Sequence, residues 1–395
     1  MLSVTPFEMM YAAFGSEALM SDVMVAELLC IHMCFFSAFQ LFSGTILDYC
    51  GGRIFLPLAA GSVFVGMLLQ VAAMGSNFFL IVALSQTFLT CGASFGFIGV
   101  EYLSRCVFSG NKAKMAFSFA QAMYGLLCAT FWVISSHYEQ MMRHNFYSIV
   151  WGITALQFVS ALTACCTSNI PQVRSSSSVS CFSVFSSITR HICCVTTKPE
   201  VWKISLIGGM MFGIFFSLSS LLLYKYDSSI GGFVSTYVWI GFALGAPLSC
   251  WMFLHFRNGK RIFFAIRILQ CFSLCCLLFI MQKVVADSHN YEMEKYAGLA
   301  LAAMFFGILS GGHMIAFIIG THIVDDKYKS VCCAIINGFM CVIAGMIILI
   351  VTIFAEFYKL QTLLICTSCI SLVLHCLLER HLCVGIVETS GRNLQ

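Results

Sequence analysis

Charged residues are scarce in this chain of 395 residues. Aspartate, glutamate, lysine and arginine together make up 10% of it, whereas 60% of the residues are hydrophobic, and the mean hydropathy is +0.92. A soluble domain needs more charge than this to cover its surface. The composition therefore excludes a soluble globular protein. It predicts a polytopic membrane protein whose surroundings are the lipid bilayer and which binds no nucleic acid.

Motifs that bind metals or cofactors are also missing. The 22 cysteines are scattered through apolar runs such as 271–276, where a thiol behaves as a small hydrophobic side chain. Cys366 and Cys369 have the spacing of a metal-binding pair, but no second pair of cysteines or histidines accompanies them in that run. We therefore predict no metal site and no cofactor.

Three functional classes are disfavoured by similar absences. The sequence has no glycine-rich phosphate loop, so it does not predict direct ATP hydrolysis. The nearest approach to a catalytic set, His322 with Asp325 and Asp326, lacks the spacing of a membrane acyltransferase or of a metal site. No segment resembles the re-entrant filter of a channel. We predict that the protein is not an enzyme.

Long apolar runs make up most of the sequence. A membrane-spanning helix needs about 20 apolar residues, and eleven such runs are separated by breaks rich in glycine, serine or charge. We predict an all-α fold with full spans at 21–46, 53–75, 78–104, 115–137, 146–166, 203–224, 231–256, 261–282, 296–322, 331–355 and 361–384. Residues 1–19 contain Pro6 and Gly15, are too short to span, and lack the basic start and cleavage site of a signal peptide.

One long polar interval divides the chain near its middle. It contains Pro171, the serine run 175–178 and several basic residues, a composition typical of a linker. The predicted organisation is an N-terminal helical bundle at 1–166, a cytoplasmic linker at 167–202, a C-terminal bundle at 203–385 and a tail at 386–395.

The basic residues collect on one side of these spans. When the turn at 47–53 is placed in the cytoplasm, all but five of the 21 basic residues lie on the cytoplasmic side, as the preference for basic cytoplasmic loops requires. The five on the outer side are Arg143, Lys225, Lys283, Lys295 and Lys359. This predicts an outer N-terminus and a cytoplasmic C-terminus, in the inner (plasma) membrane of a bacterium.

A short motif joins the first two predicted spans. It reads Gly44-x-x-x-Asp48-x-x-Gly51-x-Arg53, with an acid at the membrane face, a two-glycine turn and one arginine. An acid near the bilayer is costly unless it is paired or faces water. The pattern indicates a hinge between two helices.

This motif resembles the signature between the second and third helices of the major facilitator superfamily. A weaker copy, which lacks the acid, lies at Gly245, Arg257, Gly259, Lys260 and Arg261, and a pattern repeated in both halves is typical of transporters built from two related halves. The resemblance implies a two-bundle fold whose eleven full spans are the second to twelfth helices. Residues 1–19 would be an outer remnant of the first helix.

The resemblance also implies a role for the motif. In that family the acid, the loop arginine and an acid at the inner end of the fourth helix form a charge cluster that helps to hold the cytoplasmic side closed. The matching residues here are Asp48, Arg53 and Glu101. Two simpler interpretations stay open: Asp48 and Arg53 are solvated loop charges, or Glu101 pairs with Arg105 one turn further along its own helix.

Polar side chains inside the spans are candidates for substrate contact, because each needs a partner or water. The resemblance makes the third, sixth, ninth and twelfth helices peripheral, which sets aside Gln70, Gln157, Arg267, Gln270 and His375. The candidates on cavity-lining spans are Gln40, Gln86, Gln121, Tyr124, Tyr237, His313 and Asn337. Each of them could equally make a hydrogen bond between helices.

These observations predict a secondary active or facilitative transporter, monomeric, that works by alternating access. Its substrate would be a small polar solute: an amino acid, a short peptide, a sugar or an organic anion. His313 is the ionisable side chain in the middle of a predicted cavity helix, and histidine titrates in a range that suits coupling to a proton. The alternative is a non-transporting membrane receptor or sensor, or a degenerate transporter relic.

Overall fold

The computed structural model describes residues 22–74, 79–137, 139–166, 181–225, 228–256, 258–286, 293–354 and 360–382. The α-helices in these residues are α1 (Asp22–Cys50), α2 (Gly52–Met74), α3 (Phe79–Val107), α4 (Gly110–His137), α5 (Glu139–Cys166), α6 (Cys181–Thr196), α7 (Pro199–Lys225), α8 (Ser228–His255), α9 (Gly259–Ala286), α10 (Met293–Ser310), α11 (Met314–Ile323), α12 (Lys329–Phe354) and α13 (Leu360–Leu382). The described part of the chain is helical, as the sequence predicts.

In these residues, nine helical stretches are long and apolar enough to cross a membrane. They are Leu29–Cys50, Gly52–Ala72, Gly110–Val133, Pro199–Ser220, Ile230–His255, Gly259–Ala286, Tyr296–Ile323, Asp326–Phe354 and Gln361–Leu378. The prediction of eleven full spans is therefore not confirmed. Helices α3 and α5 are not among these stretches of described residues, and α5 contributes the shorter apolar stretch Trp151–Cys165. The predicted remnant at 1–19 lies outside the described residues.

Two elements differ from the sequence-based expectation. Helix α6 lies inside the interval 167–202 that was expected to be a linker. Within the stretch Tyr296–Ile323 the helical geometry also changes, because α10 ends at Ser310, one 3₁₀ turn covers Gly311–His313, and α11 begins at Met314. Two consecutive glycines favour such a break, since glycine is a poor helix former.

The helices pack into two groups. The first group contains α1 to α5 and the second contains α7 to α13. The groups meet mainly along two pairs of helices, α1 against α12 and α4 against α8. Helices α3 and α11 also meet through Phe97 and Phe317, whose ring centroids are 5.2 Å apart.

Glycines allow the two groups to approach closely. A Cβ atom on Gly44 of α1 would lie 2.7 Å from the carbonyl oxygen of Ser330 in α12. A Cβ on Gly338 of α12 would lie 2.7 Å from Oγ of Ser37, so the contact continues along α1. Small residues at a helix interface increase van der Waals contact between backbones. The two groups are closed against each other along this seam.

Candidate functional site

Asp48, near the end of α1, contacts the other group of helices. Its Oδ2 accepts a hydrogen bond of 3.1 Å from the backbone N–H of Val331, and its Oδ1 accepts one of 3.1 Å from Nη2 of Arg105. The side chain of Asp48 is 3% exposed. Val331 is in the first turn of α12, where backbone N–H groups have no partner within the helix and the helix dipole favours a negative charge. The carboxylate therefore bridges α1 and α12.

Arg105 of α3 joins the remaining members of this site. Its Nε lies 2.6 Å from Oε1 of Glu101, and Nη2 also donates to Oγ of Ser330. The Ser330 hydroxyl in turn lies 3.2 Å from Oε2 of Glu101. We call Asp48, Glu101, Arg105, Ser330 and the N–H of Val331 the inter-bundle cluster. One guanidinium is shared by two carboxylates there, and charge-assisted hydrogen bonds of this kind are stronger than neutral ones.

The turn after Asp48 has the geometry that its glycines suggest. Gly51 has a φ of 80°, a left-handed conformation that glycine adopts without steric cost, and its N–H donates to the carbonyl of Leu47 at 3.1 Å. Arg53 follows in α2 and is exposed. The structure places Arg105, and not Arg53, on the Asp48 carboxylate. Several cations lie within reach of an acid near a helix end. The closest arginine in the sequence, Arg53, was therefore a poor guide to the partner of Asp48.

Helix α6 touches both groups beside this cluster. The ring of His191 lies against the ring of Tyr328, with centroids 4.9 Å apart, and against Tyr49 at 6.5 Å. Tyr49 follows Asp48 in α1, and Tyr328 lies just before α12. Past the end of α6, Lys198 donates from Nζ to the carbonyl of Ile323 at 2.8 Å. The predicted linker thus contributes an ordered helix to this end of the molecule.

A second polar contact joins α4 to α11 at the same end. Nζ of Lys114 lies 2.6 Å from Nε2 of His322. Because a lysine ammonium can only donate, Nε2 of His322 is the acceptor in this contact. His322, considered above as part of a possible catalytic set, instead contributes to the closure between the two groups.

Aromatic side chains fill the contact between the groups further inside. We call the following residues the ring cluster: Phe97, Phe117, Tyr124, Phe212, Phe215, Trp239, Phe242, His313 and Phe317. Its members from the first group touch members from the second, since Phe117 packs on Phe317 at 5.8 Å and Tyr124 packs on Trp239 at 5.5 Å between centroids. The cluster belongs to α3, α4, α7, α8, the 3₁₀ turn and α11.

His313 lies inside this ring cluster. Its ring stacks on Phe242 at 5.4 Å and contacts Phe212 at 5.3 Å, and it is 4% exposed. Nδ1 lies 2.9 Å from the carbonyl oxygen of Ser310. A carbonyl only accepts, so Nδ1 carries the proton and Nε2 is left free to accept in the neutral ring.

The other predicted cavity residues are distributed around the two groups. Tyr124 belongs to the ring cluster, whereas Tyr237 pairs with Phe233 at 4.9 Å within α8. Gln86 receives a contact of 2.9 Å from Nδ1 of His32, and Gln121 is buried in α4. The remaining two, Gln40 and Asn337, are buried on α1 and α12 and retain amide atoms without a hydrogen-bond partner in the described residues.

The described residues of the weaker copy of the motif, in the second half, do not share one site. Gly245 lies within α8 against α10, where a Cβ would overlap the carbonyl of Ile308. Gly259 starts α9, and a Cβ there would lie 2.6 Å from the ring of Phe253. Lys260 is half-buried and Arg261 is exposed, while Arg257 lies outside the described residues. The sequence pattern alone did not show that Gly245 packs between helices whereas Gly259 lies at the start of a helix.

A network around Arg267 of α9, which the family layout sets aside as peripheral, is buried. Arg267 has no exposed surface and donates from Nη1 to Oε1 of Gln270. Gln270 donates from Nε2 to Oγ of Ser310 at 2.9 Å and to the carbonyl of Met211 at 3.2 Å. The network ends at Ser310, whose carbonyl accepts the hydrogen bond from Nδ1 of His313. Arg267 and Gln270 are three positions apart in one helix, a spacing that places both side chains on the same face. This spacing is the feature of the sequence that could have indicated the network.

The described residues contain no group of three or more His, Cys, Asp or Glu side chains that could hold a metal ion. Cys366 and Cys369 are exposed on α13. Nothing in these residues therefore supports metal chemistry at that pair, and the polar chemistry of the site is that of the inter-bundle cluster and His313.

Comparison with known proteins shows similarity at the level of structure. No protein-family model matches the sequence, and a comparison with curated proteins gives no significant match. Among solved structures, the chain is similar to the crystal structure of the Escherichia coli fucose:proton symporter FucP, with a TM-score of 0.61 and 10% identity over 95% of this chain and 97% of that chain. The chain therefore shares the fold of that symporter.

Proposed function

We propose that this protein is a secondary active or facilitative transporter that moves a small polar solute across the membrane by alternating access. The observation that carries the proposal is the hydrogen bond from Val331 to Asp48, which joins the two groups of helices at one end. An opening between the groups at that end has to break this contact. The similarity in fold to a fucose:proton symporter supports transport, and a proton is a candidate for the coupled ion.

The inter-bundle cluster is proposed as the latch of the closed state. Breaking it leaves Asp48 without the α12 N–H, while Arg105 stays in contact with both carboxylates on the first group. The cost of opening is thereby limited to the bonds that cross the seam, because these ion pairs lie within one group. Glu101 and Arg105 hold Asp48 in position, and Gly44 and Gly51 allow the close approach and the turn. This proposal places the cluster in the cytoplasm of a bacterium, at the inner (plasma) membrane, and treats the protein as a monomer.

Proteoliposomes test this proposal directly. Uptake of radiolabelled glucose, alanine, dialanine and succinate would be measured with the wild type, with Asp48→Asn and with Asp325→Asn. Asp325 lies at the same end, is exposed, and serves as the matched control. We expect uptake of at least one solute, a several-fold slower rate for Asp48→Asn and an unchanged rate for Asp325→Asn. Absence of uptake for every solute would favour the receptor or relic, and equal rates for the two variants would refute the latch.

A further inference from the structure

The ring cluster lies where the two groups of helices meet. Phe97 and Phe117 of the first group both contact Phe317 of the second, at 5.2 Å and 5.8 Å between centroids. All three rings are buried. A solute bound between the two groups would take the place of these ring–ring contacts. The rings would then form the walls of its binding site.

Fully buried acids and bases are few near these walls. The buried acids and bases of the described chain are Glu101 and Arg267 with His32, His313 and His375, together with the carboxylate of Asp48 in the inter-bundle cluster. Of these, only His313 contacts the rings. A charge moved out of water needs an opposite charge and hydrogen bonds to offset the loss of solvation. The rings therefore suit an uncharged solute.

His313 offers that solute a fixed hydrogen-bond acceptor. Its Nδ1 donates to the carbonyl of Ser310, and the hydroxyl of Ser310 is held by Gln270 at 2.9 Å. Arg267 fixes Gln270 in turn. This chain of bonds fixes the Nδ1 side of the imidazole, and it leaves Nε2 as the acceptor. A hydroxyl group is a suitable donor to it.

Other buried polar atoms near the seam also lack partners in the described residues. They include both amide atoms of Gln40, Nδ2 of Asn337 and Nε1 of Trp239. Gln40 is one turn from Ser37, and Asn337 precedes Gly338, which packs on Ser37, so both amides lie at the same level of the α1 and α12 contact. An unpaired buried polar group is unfavourable, because it has lost its hydrogen bonds to water. Trp239 is a member of the ring cluster, and its Nε1 is a donor that a hydroxyl group of a solute can satisfy.

We propose that the ring cluster is the substrate site for an uncharged ring that carries several hydroxyl groups, the chemistry of a monosaccharide or a cyclic polyol. The C–H face of such a ring packs against Phe317 and its neighbours, and one hydroxyl donates to Nε2 of His313. This inference rests on the proposed transport function and narrows its substrate class. It makes amino acids and organic anions poor substrates.

Thermal unfolding of the purified full chain with matched ligands tests the inference. The probes are glucose, galactose, mannose, fucose and inositol, together with glucuronate, galacturonate and glucosamine, which place a charge on the same rings. Binding to the folded state raises the melting temperature in proportion to the logarithm of ligand concentration over Kd. We expect at least one neutral ring to bind, and its charged counterpart to bind at least about tenfold more weakly, equivalent to about 1.4 kcal/mol.

Two variants locate the binding. Phe317→Ala should weaken binding of the neutral ring at least about tenfold, whereas Phe272→Ala, on a side chain of α9 that is 65% exposed, should leave it unchanged. A uronate or amino sugar that binds as tightly as the neutral ring would overturn the inference. So would uptake of alanine, dialanine or succinate without binding of any neutral ring, a result that leaves the transport function intact. Absence of both uptake and binding would count against the proposed function itself.

Discussion

The carboxylate of Asp48 in α1 and the backbone N–H of Val331 in α12 lie 3.1 Å apart and form a hydrogen bond between the two groups of helices. Val331 is in the first turn of its helix, so the bond also places a negative charge at the positive end of the α12 dipole. Such an interaction contributes about 0.3–1 kcal/mol at an exposed position and up to about 2 kcal/mol in a partly buried one. A contact of this size can hold a closed state that still opens.

Arg105 should matter more for folding than any other residue of the inter-bundle cluster. Arg105→Gln leaves Asp48 and Glu101 buried without their cation, and removing one partner of a buried pair costs about 3–5 kcal/mol. Partial exposure of Arg105, at 25%, places the loss toward the lower end of this range. Thermal unfolding in detergent measures it. The triple variant Arg105→Gln, Asp48→Asn, Glu101→Gln should recover part of the loss, and a triple variant as unstable as the single one would contradict the pairing.

Gly44 should set how closely α1 and α12 approach. A Cβ there would lie 2.7 Å from the Ser330 carbonyl and 2.8 Å from Cβ of Ala334, and overpacking of this kind costs about 1–3 kcal/mol. Gly44→Ala should therefore favour the open state and increase alkylation of the buried thiol of Cys333 by N-ethylmaleimide, measured by mass spectrometry of its peptide. Gly61→Ala is the control, because a Cβ at Gly61 meets nothing within 4 Å. Equal alkylation in the two variants would refute the role of Gly44.

Sequence reasoning predicted the helical class and most helix positions because apolar runs of membrane length carry that information directly. By resemblance it grouped Asp48 and Glu101 with Arg53, whereas Arg105 is the cation that contacts both carboxylates, and it named the contact between Glu101 and Arg105 as an alternative. It did not identify Ser330 or the N–H of Val331, since a backbone donor at a helix start has no sequence signature and lies 283 positions from Asp48. The same applies to the ring cluster, whose members are ordinary apolar residues until six elements bring them together.

The Arg267 network should show strong coupling between its members. Gln270→Leu removes one of the two acceptors of a fully buried guanidinium, the other being the carbonyl of Ser368, and a hydrogen bond to a charged group contributes about 1.5–3 kcal/mol. Arg267→Met combined with Gln270→Leu replaces both partners by apolar groups of similar volume, so it should be more stable than Gln270→Leu alone. A double-mutant cycle on the melting temperature measures the coupling. Additive losses would show that the two side chains act independently.

The packing of α6 against both groups of helices should favour the closed state over the open state. His191 packs on Tyr328 and Tyr49, one from each group, and a pair of rings contributes about 0.5–1.5 kcal/mol. His191→Ala should therefore raise the rate of Cys333 alkylation by up to about tenfold. Arg190→Ala, on an exposed neighbour in the same helix, should leave the rate unchanged. An unchanged rate for His191→Ala would show that α6 plays no part in closure.

The distance between the two groups at the end that carries Asp48 tests alternating access most directly. Spin labels attached through a non-natural amino acid at Ser109 and Lys327, which are both exposed, report this distance by pulsed electron resonance in liposomes. We predict a short distance and a minor longer one in the wild type, and a shift toward the longer distance in Asp48→Asn. A single distance that is the same in the wild type and in Asp48→Asn would contradict the account.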